Sequence, residues 1–105
     1  MNEEYILIRT YLKDIDKTNR LLNILLNKKL VSGGRIYKTL SKYYENGRFI
    51  VDEKYTLEVE TKKNKYDIIE RTIENFDEGE KPKIFSLDIN NFNYNYKYYI
   101  EDAVR

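Results

Sequence analysis

The 105-residue chain contains no cysteine, no histidine and no tryptophan. Without cysteine it forms neither a disulfide nor a thiolate nucleophile, and the cytosol is the simplest compartment for such a chain. Without histidine as well, the sequence excludes Ser-His and Cys-His catalysis, imidazole bases and the usual zinc or copper sites. We therefore expect a cytoplasmic protein that is not an enzyme and has no cofactor.

An excess of either charge is also lacking, because 19 Lys and Arg are interspersed with 18 Asp and Glu. No overall field attracts the chain to nucleic acid or to a membrane surface. The first apolar run is four residues long and ends at Arg9, which is too short for a signal peptide or a membrane span. The length suits a single domain over residues 1–105, because two cores would each be too small.

The first quarter of the chain predicts a strand followed by a helix. Residues 5–12 are rich in β-branched and aromatic side chains and have two apolar faces, which indicates a central strand. Asp14 or Asp16 can cap the helix, and Ser32-Gly33-Gly34 is expected to end it. The apolar stripe of this helix consists of Ile15, Leu21, Leu22, Leu25, Leu26 and Leu30.

The middle of the chain predicts a long β-hairpin. Residues 35–44 and 49–61 alternate with a period near two, which is typical of antiparallel strands. Asn46-Gly47 lies between them, and this pair favours a type I′ turn because both positions need positive φ. It is the strongest local signal in the sequence.

The last third predicts a second helix, a fourth strand and a short closing element. Asn64 can cap the helix, whose apolar positions are Tyr66, Ile69, Ile73 and Phe76. Pro82 stands at the entry of a strand over residues 83–89, where its missing N–H costs no ladder bond. Residues 96–104 are expected to form a short helix or an edge element.

The resulting order is βαββαβ, an α+β sandwich with both helices on one face of a four-stranded sheet. The two middle strands are longer than the flanking helices can cover. Their apolar far ends need another partner, so the pattern predicts a closed homo-oligomer. The expected interface residues are Tyr43, Tyr44, Phe49, Ile50 and Val51.

Several short motifs lie in the hairpin and after it. They are Ser41-Lys42-Tyr43, Gly47-Arg48, an acidic-to-aliphatic stretch from Asp52-Glu53 to Glu60-Thr61, and the spaced set Ile73, Pro82 and Ile84. In these motifs the chain resembles the CutA family, small proteins named for divalent-cation tolerance, from Ile6 to about Ile100. The resemblance implies a ferredoxin-like sandwich with a long hairpin, assembled as a homotrimer and linked to metal-ion homeostasis.

The sequence departs from the family pattern at four positions. Gly33 stands where the family usually has Cys, and Asp77 where it usually has His. Glu45 replaces the usual Trp, and Glu60 the Lys of Lys-Thr. The copper binding attributed to the family depends on the Cys and His. The resemblance therefore implies the trimeric scaffold but assigns no catalytic, cofactor-binding or metal-binding residue.

Carboxylates are the remaining ligands for a hard metal ion, and their local concentrations are Asp52, Glu53, Glu58, Glu60, Asp77, Glu78 and Glu80. Oxygen ligands can hold Ca, Mg or Mn. No spacing resembles a calcium loop, and solvated carboxylates paired with lysines are the preferred interpretation. Whether a divalent metal ion is a partner stays open.

Two other functions share this element order. RRM domains bind RNA through stacked aromatics on the central strands, but here residues 47–51 are followed by Asp52-Glu53, which repels phosphate. The Tyr-rich segment 93–99 is expected to pack over the sheet edge or a subunit contact. PII-type trimers bind nucleotides in clefts between subunits, and ligand binding at such clefts stays open, although no Gly-rich phosphate loop is present.

Overall fold

The computed structural model describes residues 4–105. Its four strands are Tyr5–Leu12 (β1), Gly33–Glu45 (β2), Arg48–Lys62 (β3) and Ile84–Ile89 (β4). They form one sheet in the order β2-β3-β1-β4, and every neighbouring pair is antiparallel. The central position of β1 confirms the prediction made from its two apolar faces.

Three helices pack on this sheet: Ile15–Asn27 (α1), Tyr66–Phe76 (α2) and Tyr94–Ala103 (α3). The helices α1 and α2 share one core with β1 and β3, which confirms the βαββαβ order and the placement of both on one face. The helix α3 packs against Tyr5 on the opposite face. The main core consists of Ile6, Ile8, Leu21, Leu25, Leu30, Val31, Leu57, Val59, Ile69 and Ile73.

The helix α1 begins where one of the two predicted caps lies, but it ends earlier than expected. Asp14 is the N-cap, and its Oδ1 accepts hydrogen bonds from the backbone N–H of residues 16 and 17. The prediction that Ser32-Gly33-Gly34 ends the helix is wrong. Lys29 takes a φ of 59°, and the N–H groups of Lys29 and Leu30 donate to the carbonyls of Leu26 and Leu25.

This arrangement is a Schellman motif with a lysine in the left-handed position that glycine usually fills. The reversal carries Leu30 out of the helix and into the core beside Leu25. Gly33 and Gly34 are thereby left to open β2. In α1 itself, Leu21 and Leu25 are buried, whereas Ile15 and Leu26 of the predicted stripe are exposed.

The helix α2 is not capped by Asn64, which corrects the second capping prediction. The strand β3 runs to Lys62, and residues Lys63–Lys65 form a short 3₁₀ turn that contains Asn64. The N-cap of α2 is Lys65, whose side chain makes no capping hydrogen bond. The closing element is a helix that begins at Tyr94, two residues before the predicted start, because the Asn93 side chain caps it at the N–H of Tyr96.

The hairpin extends well beyond the body of the domain. Asn46 and Gly47 have φ values of 52° and 75°, which is the type I′ geometry that the sequence predicts. The register pairs Glu45 with Arg48 and continues without a break to Gly33 opposite Glu60. The long hairpin gives the chain dimensions of 46 × 26 × 21 Å.

Candidate functional site

One face of the hairpin carries four exposed apolar side chains, which we call the hairpin strip: Leu40, Tyr44, Phe49 and Val51. They are 63%, 76%, 60% and 56% exposed. Strand alternation and the register put them on the same face as the core residues of β2 and β3. The rings of Tyr44 and Phe49 meet edge to face at 5.7 Å. In the described chain α1 and α2 do not cover this end, so the four apolar side chains face solvent, with the exposed Lys42 between Leu40 and Tyr44 on the same face.

Three of the five residues predicted for an interface, Tyr44, Phe49 and Val51, belong to the hairpin strip. Tyr43 and Ile50 pair with each other on the opposite face and are half-buried. Leu40 was missed by the sequence reasoning. The signal was available, because Leu40 and Tyr44 are four residues apart on one strand and therefore share a face.

The other face of the sheet, which we call the helix-free face, carries a charged network at its centre. Arg9, Glu58 and Arg35 lie directly opposite one another on β1, β3 and β2. Arg9 Nε is 2.6 Å from Glu58 Oε2, and Arg35 Nε is 3.7 Å from Oε1. The Tyr37 hydroxyl donates to the same carboxylate at 3.0 Å. Glu58 is thus held by three groups from two neighbouring strands.

Glu60 extends the network toward α3 and is almost completely buried. Its carboxylate accepts a charged hydrogen bond from Arg35 and another from the Tyr99 hydroxyl, the latter at 2.8 Å. Gly33 lies opposite Glu60 in the register, and a β-carbon there would collide with the Tyr99 hydroxyl. The space that a side chain at position 33 would take is therefore filled by a tyrosine from α3.

The electrostatics of this network suit structural pairing and not proton transfer. Burial favours a raised pKa for Glu58, but hydrogen bonds from Arg9 and Tyr37 and the nearby guanidinium charges hold it below its ordinary value. Burial and the hydrogen bond to Glu60 raise the pKa of Tyr99. Burial and the Glu60 charge raise the pKa of Tyr96 to about 12. None of these three groups changes its charge near neutral pH, so none is suited to act as a general acid or base.

The acidic side chains named as candidate metal ligands do not converge. In residues 4–105 no three of them lie close enough together to hold a metal ion. Asp77 accepts a hydrogen bond from Lys17 Nζ at 2.9 Å, and Glu53 pairs with Lys38 at 3.1 Å. Five of these acidic residues, Asp52, Glu53, Glu58, Glu60 and Asp77, are therefore bound to basic or polar side chains of the same chain.

Apolar side chains flank the charged network on the helix-free face. Phe85 and Leu87 point to this side of β4 and are partly exposed, as is Phe92 in the following loop. The tyrosine-rich helix α3 covers one end of the face, where the rings of Tyr5 and Phe92 meet at 5.0 Å. The middle of the face therefore combines a satisfied polar centre with an apolar rim open to solvent.

A four-stranded sheet with two helices on one face and a projecting hairpin makes this chain a small α+β sandwich. The chain belongs to the CutA1 divalent ion tolerance protein family, which matches residues 6–103. This confirms the resemblance found in the sequence. A comparison with curated protein sequences gave no match.

Solved structures with the same fold come from distant organisms. CutA1 from Oryza sativa is 19% identical with a TM-score of 0.90, over 97% of this chain and 94% of that one. CutA1 from Shewanella sp. SIB1 is 21% identical with a TM-score of 0.89, over 99% and 98%. CutA from Archaeoglobus fulgidus, described as periplasmic, is 18% identical with a TM-score of 0.90, over 96% and 99%. At these identities the likeness shows the fold alone.

Every helix within residues 4–105 is too short or too polar to span a lipid bilayer.

Proposed function

We propose that this chain is the non-catalytic subunit of a homotrimer that contributes to divalent-ion tolerance without the Cys and His of related sequences. Family membership supplies the divalent-ion role. The observation that carries the assembly is the hairpin strip, Leu40, Tyr44, Phe49 and Val51, whose four apolar side chains project together into solvent. Monomeric proteins rarely expose such a surface unless it is a binding site.

A second copy of the chain is the partner that fits both exposed surfaces. The hairpin strip lies on one face of the sheet and the apolar rim of Phe85 and Leu87 on the other, so a head-to-tail arrangement brings different surfaces together. Heterologous contacts form a closed ring when the rotation between neighbouring copies closes, and a ring of three matches the state that the family resemblance implies. Tyr43 and Ile50 lie on the second face of the hairpin and stay outside this contact.

The absence of catalysis is part of the proposal, because the polar groups on the helix-free face are paired with one another. Glu58 is held ionised by Arg9, and the hydroxyls of Tyr37 and Tyr99 each donate to a carboxylate. A role in ion tolerance would then depend on the assembled protein and not on a tight Cys-His site. The cytosol remains our proposed compartment on the ground of the missing cysteine.

Nucleic-acid binding is the weaker alternative. An RRM-like platform needs aromatic rings on the helix-free face of the two central strands. Here the middle of that face carries Leu7, Arg9, Glu58 and Glu60, and the two carboxylates repel phosphate. Its rings lie at the two ends of β1, where Tyr5 is buried and Tyr11 is half-buried. The tyrosines of α3 lie at one end of the sheet, where Tyr94 and Tyr98 pack against each other at 4.8 Å.

Sedimentation equilibrium at micromolar concentration tests the assembly. We expect the mass of three 12.8 kDa chains. The double variant Phe49→Ser/Val51→Ser should sediment at lower mass, because it removes apolar area from the hairpin strip. The control Leu26→Ser/Ile68→Ser removes two exposed apolar side chains from the outer helix surfaces and should keep the wild-type mass. A monomeric wild type would contradict the trimer. Equal dissociation of both double variants would contradict the hairpin strip as its interface.

A growth assay tests the ion-tolerance role. The chain is expressed in a bacterial strain that lacks its own CutA1 gene and is challenged with copper. We expect growth to be restored by the wild type and by Leu26→Ser/Ile68→Ser but not by Phe49→Ser/Val51→Ser. Equilibrium dialysis should show no stoichiometric copper binding below micromolar concentration, since the chain has no thiol or imidazole. Failure of the wild type to restore growth would contradict the role.

A further inference from the structure

A cleft of about 390 Å³ lies at one end of the sheet, where β1 leads into α1 and the loop after α2 approaches the hairpin. Small-molecule sites typically have volumes of about 300–1,000 Å³, so the cleft is large enough for a small ligand. Residues of a single chain form it. An inference about the cleft therefore goes beyond the proposed function and does not depend on the trimer.

Lysines dominate the charged lining of the cleft: Lys13, Lys17, Lys54, Lys81 and Lys83. Lys17 is neutralised by Asp77 at 2.9 Å. Within the described residues the other four ammonium groups form no ion pair. These four ammonium groups repel one another and favour an anion between them.

The ring of Tyr43 contacts two of these lysines. Lys54 Nζ is 4.5 Å from the centroid of its ring, and Lys83 Nζ is 5.4 Å from the same centroid. The ring attracts both ammonium groups through its π electrons, and its hydroxyl donates to Asp52 at 3.2 Å. Lys54 lies in β3 and Lys83 lies just before β4, so it is the fold that brings both lysines to the same ring.

The four acidic residues of the cleft offset the charge of its five lysines only in part. They are Asp14, Glu45, Asp77 and Glu80. Asp14 is occupied by the backbone N–H groups that it caps, and Asp77 by Lys17. Glu45 and Glu80 remain against the four unpaired lysines. Because no three acidic side chains of the described chain converge on one point, the lining fits an anion better than a metal cation.

We propose that this cleft binds a small phosphate-bearing anion, with Lys54 and Lys83 donating to its oxygens and Tyr43 holding the two ammonium groups in position. A lysine ammonium is a compact point charge with three donors, which suits phosphate oxygens approached from several directions. Lys13 and Lys81 supply further charge at the rim. A polyphosphate group matches the number of unpaired lysines better than a singly charged carboxylate does.

Calorimetric titration with inorganic pyrophosphate in metal-free buffer tests the proposal. We expect saturable binding to the wild type and a loss of about tenfold in affinity for each lysine removed, since each supplies a charge-assisted hydrogen bond. The cleft variant is Lys54→Gln/Lys83→Gln. The matched control is Lys28→Gln/Lys97→Gln, which removes the same charge from exposed positions outside the cleft and should bind as the wild type does.

The outcomes distinguish binding of pyrophosphate in the cleft from its nonspecific attraction to surface lysines. No binding by the wild type at millimolar pyrophosphate, an unchanged affinity in the cleft variant, or equal losses in both doubles would overturn the proposal. If the cleft double unfolds, the single variant Lys83→Gln, just before β4, carries the test. A parallel titration with ADP decides the source of the phosphate, because tighter binding than pyrophosphate assigns a nucleotide and weaker binding an inorganic polyphosphate. Sedimentation of the same samples reports the trimer separately.

Discussion

The two halves of β3 carry the same alternation of side chains but lie in different surroundings. Leu57 and Val59 are buried under α1 and α2, whereas Phe49 and Val51 point to the same side of the sheet and are exposed. Alternation decides the face on which a side chain lies, and a helix packed on that face decides whether the side chain is buried. The inner half of the strand therefore stabilises the single chain, and the outer half is exposed in it.

The largest expected effect comes from truncating the inner half. Leu57→Ala should lower the free energy of unfolding by about 2–5 kcal/mol, because it removes buried apolar area and leaves a cavity that the surrounding core fills only partly. Urea unfolding followed by circular dichroism measures the change. A loss below about 1 kcal/mol would mean that the two halves of β3 do not differ as described.

The next effect concerns the junction between the sheet and α3. Gly33→Ala places a methyl group against the Tyr99 hydroxyl, so the ring must move and give up its hydrogen bond to the buried Glu60. We expect a loss of about 1–3 kcal/mol in unfolding free energy, the usual range when a buried polar group loses its partner. Thermal and urea unfolding provide the measurement.

The double variant Gly33→Ala/Tyr99→Phe is the control for this explanation. Removing the hydroxyl removes the collision, so the added methyl group should cost less in the Tyr99→Phe background than in the wild type. Equal costs in the two backgrounds would show that Tyr99 is not the reason for glycine at this position.

A smaller effect is expected from Glu58, and it depends on pH. The folded state holds the pKa of this carboxyl below its ordinary value, so its contribution to stability is present above the ordinary value and is lost as the pH falls through the folded one. Glu58→Gln should cost about 1 kcal/mol at pH 7, since its arginine partners are partly exposed. The gap from wild type should shrink below about pH 4.

Unfolding free energies of both proteins at several pH values test this expectation. Glu101, whose pKa is also lowered, chiefly by a hydrogen bond from Tyr5, is common to both proteins and cancels in the difference. A difference that stays constant from pH 7 to pH 3 would show that the Glu58 charge contributes nothing to the fold.

The sequence was sufficient where a structural signal is local. Asn46-Gly47 predicted the turn and its positive φ values, and the two apolar faces of residues 5–12 predicted the central strand. It failed at the end of α1, since the glycine pair at 33–34 is a stronger helix stop than Lys29. Only the tertiary position of Leu30 beside Leu25 explains why a lysine adopts the left-handed conformation.

The candidate site was predicted only in part for the same reason. Apolar residues near the turn predicted an interface, and three of the five lie in the hairpin strip. The contact of Tyr99 with Glu60 spans 39 positions, and Lys83 reaches Tyr43 from a separate element. Such contacts depend on how the chain returns across the sheet and leave no mark in the spacing of residues. The trimer stays a prediction.

The smallest expected change in unfolding free energy is at the outer half of the hairpin. Leu40→Thr replaces an exposed apolar side chain by a β-branched polar one, which suits a strand facing water. In dilute solution, where single chains are studied, we expect the unfolding free energy to change by less than about 0.5 kcal/mol. At high concentration the variant should assemble less tightly, because Leu40 belongs to the hairpin strip. Sedimentation across a dilution series measures both regimes. A large loss in the dilute sample would place Leu40 in the core of the single chain, and an unchanged assembly would remove it from the interface.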